Sequence, residues 1–160
     1  MSTRQFDIIK FVVSLLFCLG AGFIGSFATN KSVGTWYMTI NKPVINPPNW
    51  IFGPVWTTLF ILMGIALYLV WHKGFTYPGV KIAFIVFIVQ LILNILWSVF
   101  FFGFRSPTLG FINILILWLA ILFTIILFFR VSQTAGYMLI PYILWVSFAS
   151  VLNGWIMFLN

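Results

Sequence analysis

The chain has 160 residues, 63% hydrophobic and only 6% charged, with a net charge of +7 and a mean hydropathy of +1.18. No soluble domain of this size hides that much apolar surface from water, so the composition is that of an integral membrane protein. A single acidic residue, Asp7, and one His exclude paired-carboxylate catalysis, a Ser-His-Asp triad in the membrane and a metal site.

The positive charge is not a nucleic-acid signal. Arg4, Lys10, Lys31, Lys42, Lys73, Lys81, Arg105 and Arg130 are scattered, nearly all at the ends of apolar runs, where cations anchor to headgroups and set orientation. A spanning helix needs about 20 apolar residues. Five runs qualify, over about 8–28, 51–71, 80–104, 108–129 and 135–159, and none alternates as a barrel strand would. The expected fold is therefore an all-α bundle of five transmembrane helices in one domain, 1–160. Five basic residues lie on the side of the N-terminus and three on the other. That balance places the N-terminus in the cytoplasm and the loop after helix one outside.

Helix one holds Cys18, the sole Cys, read as a small packing residue. Ala21 and Gly25 have the spacing that lets two helices approach closely in lipid, within the chain or between subunits. Arg4, Lys10 and Ser26-Phe27-Ala28 also resemble a signal peptide and its cleavage site, but the apolar run is long for one. It is read as a retained helix.

Thr35 to Trp56 holds three of the eight Trp and four of the seven Pro. Pro43, Pro47, Pro48 and Pro54 each fix a backbone angle and remove a donor, which forbids regular helix until Pro54. A stiff, aromatic, nearly uncharged loop packs onto something. It is either a lid over a cavity or a loop whose aromatics sit among headgroups.

Helix two places Trp56 and Phe60 on one face and ends at His72, Lys73 and Gly74, where His72 reads as a solvated interface residue. Helix three carries Gln90, Asn94 and Ser98 at four-residue spacing. Such a stripe must face the bundle interior, as helix–helix glue or as a cavity wall; Trp97 beside it favours the wall. Helix four sets Asn113, Ile114 and Trp118 within two turns. On helix five Trp145, Ala149 and Asn153 share a face, and the small Ala149 makes a notch that admits a flat molecule. Proton-driven transport is disfavoured, because no acidic residue lies inside the membrane. An apolar, aromatic cavity with a few amides and indole N–H groups remains, the usual make-up of a small-ligand pocket.

Four motifs carry a resemblance: W-Y-x4-K-P-x3-P-P at Trp36–Pro48, F-G-P-V-W at Phe52–Trp56, Q-x3-N-x2-W-S-x2-F-F at Gln90–Phe101, and P-Y-x2-W-x3-A-x3-N at Pro141–Asn153. Together they resemble the tryptophan-rich TspO/MBR family, bacterial relatives of the mitochondrial translocator protein. The resemblance implies a five-helix bundle, often a homodimer, with a ligand cavity closed by the first loop; the short chain of charge +7 is expected in a bacterial plasma membrane. The resemblance also implies porphyrins such as protoporphyrin IX as ligands, with benzodiazepine-type drugs in some members, and no cofactor. Carried over, the pocket is Tyr37, Pro47, Trp56, Phe60, Asn94, Trp97, Ile114, Trp118, Trp145 and Ala149, with Gln90 added from the polar stripe. Two alternatives to a receptor or carrier accompany it. One is light- and oxygen-dependent porphyrin breakdown, in which Trp56 and Trp145 match the implicated indoles. The other is a stress-linked regulatory protein acting through a partner. The family's helix-five sterol motif fails here, since no Lys or Arg follows Tyr137 or Tyr142.

Overall fold

A computed structural model describes residues 5–160, so Arg4 and its part in the orientation argument lie outside the described residues. The described chain is all helical, with α1 (Ile8–Ser32), α2 (Trp36–Thr39), α3 (Asn49–Trp71), α4 (Val80–Ser98), α5 (Pro107–Val131), α6 (Gln133–Met138) and α7 (Ile140–Leu159). A π-helical turn, Val99–Gly103, continues α4, and α6 with α7 makes one interrupted span. The five spans Ile8–Ser32, Asn49–Trp71, Val80–Gly103, Pro107–Val131 and Gln133–Leu159 are each long and apolar enough to cross a bilayer.

Local chemistry sets most of the ends. The Asp7 side chain accepts from the backbone N–H of Ile9 and Lys10 and so caps α1. Ser106 caps α5 ahead of Pro107, and Ser132 caps α6. Pro141, two residues into α7, lacks the N–H needed to continue α6, so the fifth span breaks at Leu139.

Two expectations need correction. Helix formation resumes at Asn49, not at Pro54, which sits inside α3. One proline near a helix start costs only the hydrogen bond residue 54 would give residue 50, and Gly53 before it tolerates the helical backbone. The first run also continues to Ser32, whose hydroxyl, buried, donates to the Phe102 carbonyl at 2.6 Å.

The helices form a ring. α1 packs on α3 and α4, α3 also meets α6, and α5 packs on α4, α6 and α7. Small residues make the α1–α3 approach: a β-carbon on Gly64 would lie 2.9 Å from the Leu15 Cα, and one on Gly22 would lie 2.6 Å from the Phe60 ring. A β-carbon on Gly25 would meet Ser98 of α4 at 3.3 Å, so this face of α1 packs within the chain. Toward the start of α3 the two helices diverge, and a β-carbon on Gly53 would meet nothing within 4 Å. Cys18 is fully buried in the core, as its packing role requires.

Candidate functional site: an aromatic cavity under the lid

The divergence of α1 from α3 leaves a cavity of about 520 Å³ between α1, α3, α4 and α7, in the half of the bundle beneath the first loop. This is within the range of small-molecule pockets. Rings stand on every side but α1's inner stripe: Phe52, Trp56 and Phe60 of α3, Trp97 of α4, Phe101 and Phe102 of the π turn, and Trp145 of α7. Trp56 and Trp97 stack at 6.3 Å between centroids, and Trp97 and Phe101 at 5.5 Å. The π turn explains how two consecutive residues both face inward, since its extra residue widens the arc over which side chains project.

The lid closes one end. Tyr37 is buried, lines the cavity, and packs on Phe102 at 5.5 Å and Phe101 at 6.3 Å. Its hydroxyl donates to Asn46 Oδ1 at 2.8 Å. Burial pushes its phenol pKa above the ordinary value of 10, opposed in part by that hydrogen bond. Lys42 lies 4.7 Å above the ring and donates to the Tyr37 carbonyl at 2.6 Å, which ties the loop to itself. A second tie joins the loop to the end of α7. The Asn41 N–H donates to Asn160 Oδ1 at 3.0 Å, and Asn160 Nδ2 donates back to the Asn41 carbonyl at 2.9 Å. Packing on the bundle therefore describes Tyr37 and Pro43 of this loop, both buried, while Met38, Val44, Ile45 and Trp50 project outward.

No charged residue lines the cavity, and most of its polar groups are spent. Trp97 Nε1 donates to Asn153 Oδ1 at 2.9 Å. Asn94 Nδ2 donates to the Tyr142 hydroxyl at 2.7 Å, which itself donates to Gln90 Oε1 at 2.7 Å. The hydroxyls of Ser26, Thr29 and Thr57 donate to carbonyls of their own helices. Trp145 differs: its Nε1 is buried without a hydrogen-bond partner, an unmet donor. Of the lining residues, Phe23 and Asn30 of α1 and Trp50, Gly53 and Thr57 of α3 are exposed, so the wall is incomplete between these two helices.

Of the pocket residues expected from sequence, Tyr37, Trp56, Phe60, Asn94, Trp97, Trp145 and Ala149 come together on this wall. Four do not. Gln90 is fully buried below the cavity, bonded to Tyr142 and 3.9 Å from Met63 Sδ, so it is helix–helix glue. Ile114 and Trp118 belong to α5, which supplies no lining residue; Ile114 is core and Trp118 Nε1 donates to Ser147 Oγ at 2.8 Å. Pro47 is taken up in the turn into α3, its carbonyl accepting from Asn46 Nδ2 at 3.3 Å. The α1 face, with Gly22, Gly25, Ser26 and Thr29, was missed as a wall, although its small and hydroxyl residues share one helical stripe. Phe52 was likewise hidden inside a proline-rich segment. Among the described residues no cluster could hold a metal ion.

The TspO/MBR family profile matches residues 14–159. The "Tryptophan-rich protein TspO" of Chlorobaculum tepidum is 45% identical over 154 residues, covering 96% of this chain and 98% of that one. The protein of the same name from Archaeoglobus fulgidus is 46% identical over 155 residues, covering 96% and 99%. The human "Translocator protein" is 36% identical over 133 residues, covering 82% and 78%. With five membrane-spanning helices and this match along nearly its whole length, the chain is an integral membrane protein that belongs to the TspO/MBR family.

Proposed function

We propose that the chain is a membrane receptor or carrier for tetrapyrroles of the protoporphyrin IX type and other flat hydrophobic ligands. One observation carries the reading: an uncharged cavity of about 520 Å³ lined by Trp56, Trp97, Trp145 and five Phe, with a buried indole N–H at Trp145 that has no partner. Rings bind a flat ligand by stacking, and the unmet donor gives an acceptor on the ligand a reason to settle there. The notch at Ala149 leaves room beside Trp145.

The test is a titration of protoporphyrin IX against Trp fluorescence in detergent, in the dark. Saturation near one ligand per chain, weakened by Trp145→Phe and by Ala149→Leu, supports the reading. Unchanged affinity in both variants removes the cavity as the site, and absence of saturable quenching removes the ligand class.

A second reading has its own support. Trp56 and Trp145, the two indoles that the light-dependent breakdown scheme needs, line the same cavity. There the photoexcited porphyrin and oxygen supply the chemistry, and the protein supplies binding and oxidisable rings. Product that grows only under light, and is lost in Trp56→Phe/Trp145→Phe, favours this reading; product independent of both indoles rejects it.

A further inference from the structure

A second concavity lies on the outside of the bundle, in the seam between α4 and α5 and away from the ligand cavity. It measures about 490 Å³ and no polar surface lines it. On α4 the groove follows Ile82, Val86, Val89 and Leu93, one stripe at helical spacing. On α5 it runs antiparallel from Ile116 to Leu127, with the small Ala120 as part of its floor.

Three features of this groove point to one occupant. From residue 82 to residue 93 a helix rises about 16 Å. That is half of the roughly 30 Å of hydrocarbon in a bilayer, the depth of one leaflet. The groove is therefore as long as an acyl chain in place, and not as long as a neighbouring transmembrane helix. Its end is cationic: Lys81 adjoins Ile82 at the start of α4, and Arg130 lies one turn beyond Leu127 on the same stripe of α5. Both residues are exposed. The two helix ends are neighbours, since a β-carbon on Gly79 would lie 3.6 Å from Val131. Asp7 is the chain's only acidic residue, at the start of α1 and spent on the α1 cap, so no carboxylate on α4 or α5 neutralises this pair.

We propose that the α4–α5 groove binds an anionic phospholipid, with one acyl chain in the seam and the headgroup phosphate held by Lys81 and Arg130. Arginine presents paired donors to phosphate and lysine a point charge. The seam alone fits an acyl chain of any lipid, while the cations select among headgroups.

The experiment counts lipids retained by the full chain in detergent, by native mass spectrometry, from equimolar phosphatidylglycerol and phosphatidylcholine. The native chain is expected to retain phosphatidylglycerol selectively. Each cation near the surface contributes about fivefold, so Lys81→Gln/Arg130→Gln is expected to lower the preference roughly 25- to 30-fold. Ala120→Phe fills the floor and is expected to lower retention of both lipids. Lys31→Gln/Arg105→Gln, away from the groove, is expected to change neither. Equal retention of the two lipids by the native chain overturns the proposal. So does an equal loss of preference in the Lys31/Arg105 variant, which would make the effect one of net charge. A dimer in the native chain that Ala120→Phe dissociates would assign the groove to a second copy and overturn it as well. Circular dichroism of each variant identifies one that has lost its helices, and the Lys81/Arg130 variant, altered only at exposed sites, then decides alone.

Discussion

The paired hydrogen bonds between Asn41 and Asn160 make a latch whose removal has a calculable effect. Asn160→Ala deletes both the 3.0 Å and the 2.9 Å bond, and leaves the Asn41 side chain only its long 3.4 Å contact with the Leu159 carbonyl. Each such bond contributes about 0.5–1.5 kcal/mol net, and both partners are exposed, so the lower part of that range applies. A total loss of about 1–2 kcal/mol lowers the ratio of closed to open lid about 5- to 30-fold. The lid does not melt, because Tyr37 stays packed on Phe101 and Phe102. Amide hydrogen exchange in detergent reads this directly, since exchange in a locally opening segment tracks its opening free energy. Peptides covering 36–46 are expected to exchange about 5- to 30-fold faster, with α3, α4 and α5 unchanged. A uniform acceleration across the helices would mean that Asn160 supports the bundle and not the lid. An unchanged rate at 36–46 would mean that the aromatic contacts alone hold it closed.

Three further outcomes follow from the geometry. Gly64→Ala forces a β-carbon against the Leu15 backbone, and overpacking of this kind costs about 1–3 kcal/mol, whereas Gly20→Ala meets nothing within 4 Å and is expected to be neutral or stabilising by up to about 1 kcal/mol. Thermal unfolding in detergent checks both, and equal shifts would refute the close α1–α3 approach. Tyr142→Phe leaves Asn94 Nδ2 without its acceptor and Gln90 Oε1 without its donor, for an expected loss of about 1–3 kcal/mol; adding Gln90→Leu and Asn94→Leu is expected to recover part of it. Finally, the raised Tyr37 pKa means that the closed lid holds the phenol proton more tightly than the open chain does. Its contribution is complete below pH 10 and is lost as pH rises through the higher folded value. Phenolate absorbance is therefore expected to show a late-titrating component that Tyr37→Phe removes.

The five spans were legible because hydrocarbon imposes a length and a composition that few other structures share. Their interruptions were harder to read. Pro141 carries the information for the break at Leu139, but Pro54 carries the same chemistry and breaks nothing, because near a helix start one lost hydrogen bond is tolerated. The π turn at Val99–Gly103 has no residue pattern of its own, and it is what brings Phe101 and Phe102 inward together. For the site, helical spacing found the faces that carry Trp56, Asn94 and Trp145. It could not tell which polar residue meets a ligand and which meets another helix. Gln90 and Asn94 lie one turn apart on the same stripe, yet only Asn94 reaches the cavity. Trp118 looked equivalent to Trp145, and it differs only because α5 lies on the far side of the ring and Ser147 takes its N–H.

The gap between α1 and α3 has a consequence for how affinity is defined. At Phe23, nine residues before the end of α1, it opens at the depth of the acyl chains, while Trp50 marks its outer edge near the headgroups. A ligand reaching the cavity this way is drawn from the bilayer, where hydrophobic molecules are enriched far above their aqueous level. The dissociation constant expressed per volume of water then depends on how much lipid or detergent is in the tube. Expressed as ligand per lipid, it does not. Titrations at two detergent concentrations should therefore superimpose on a mole-fraction axis and separate on a molar one.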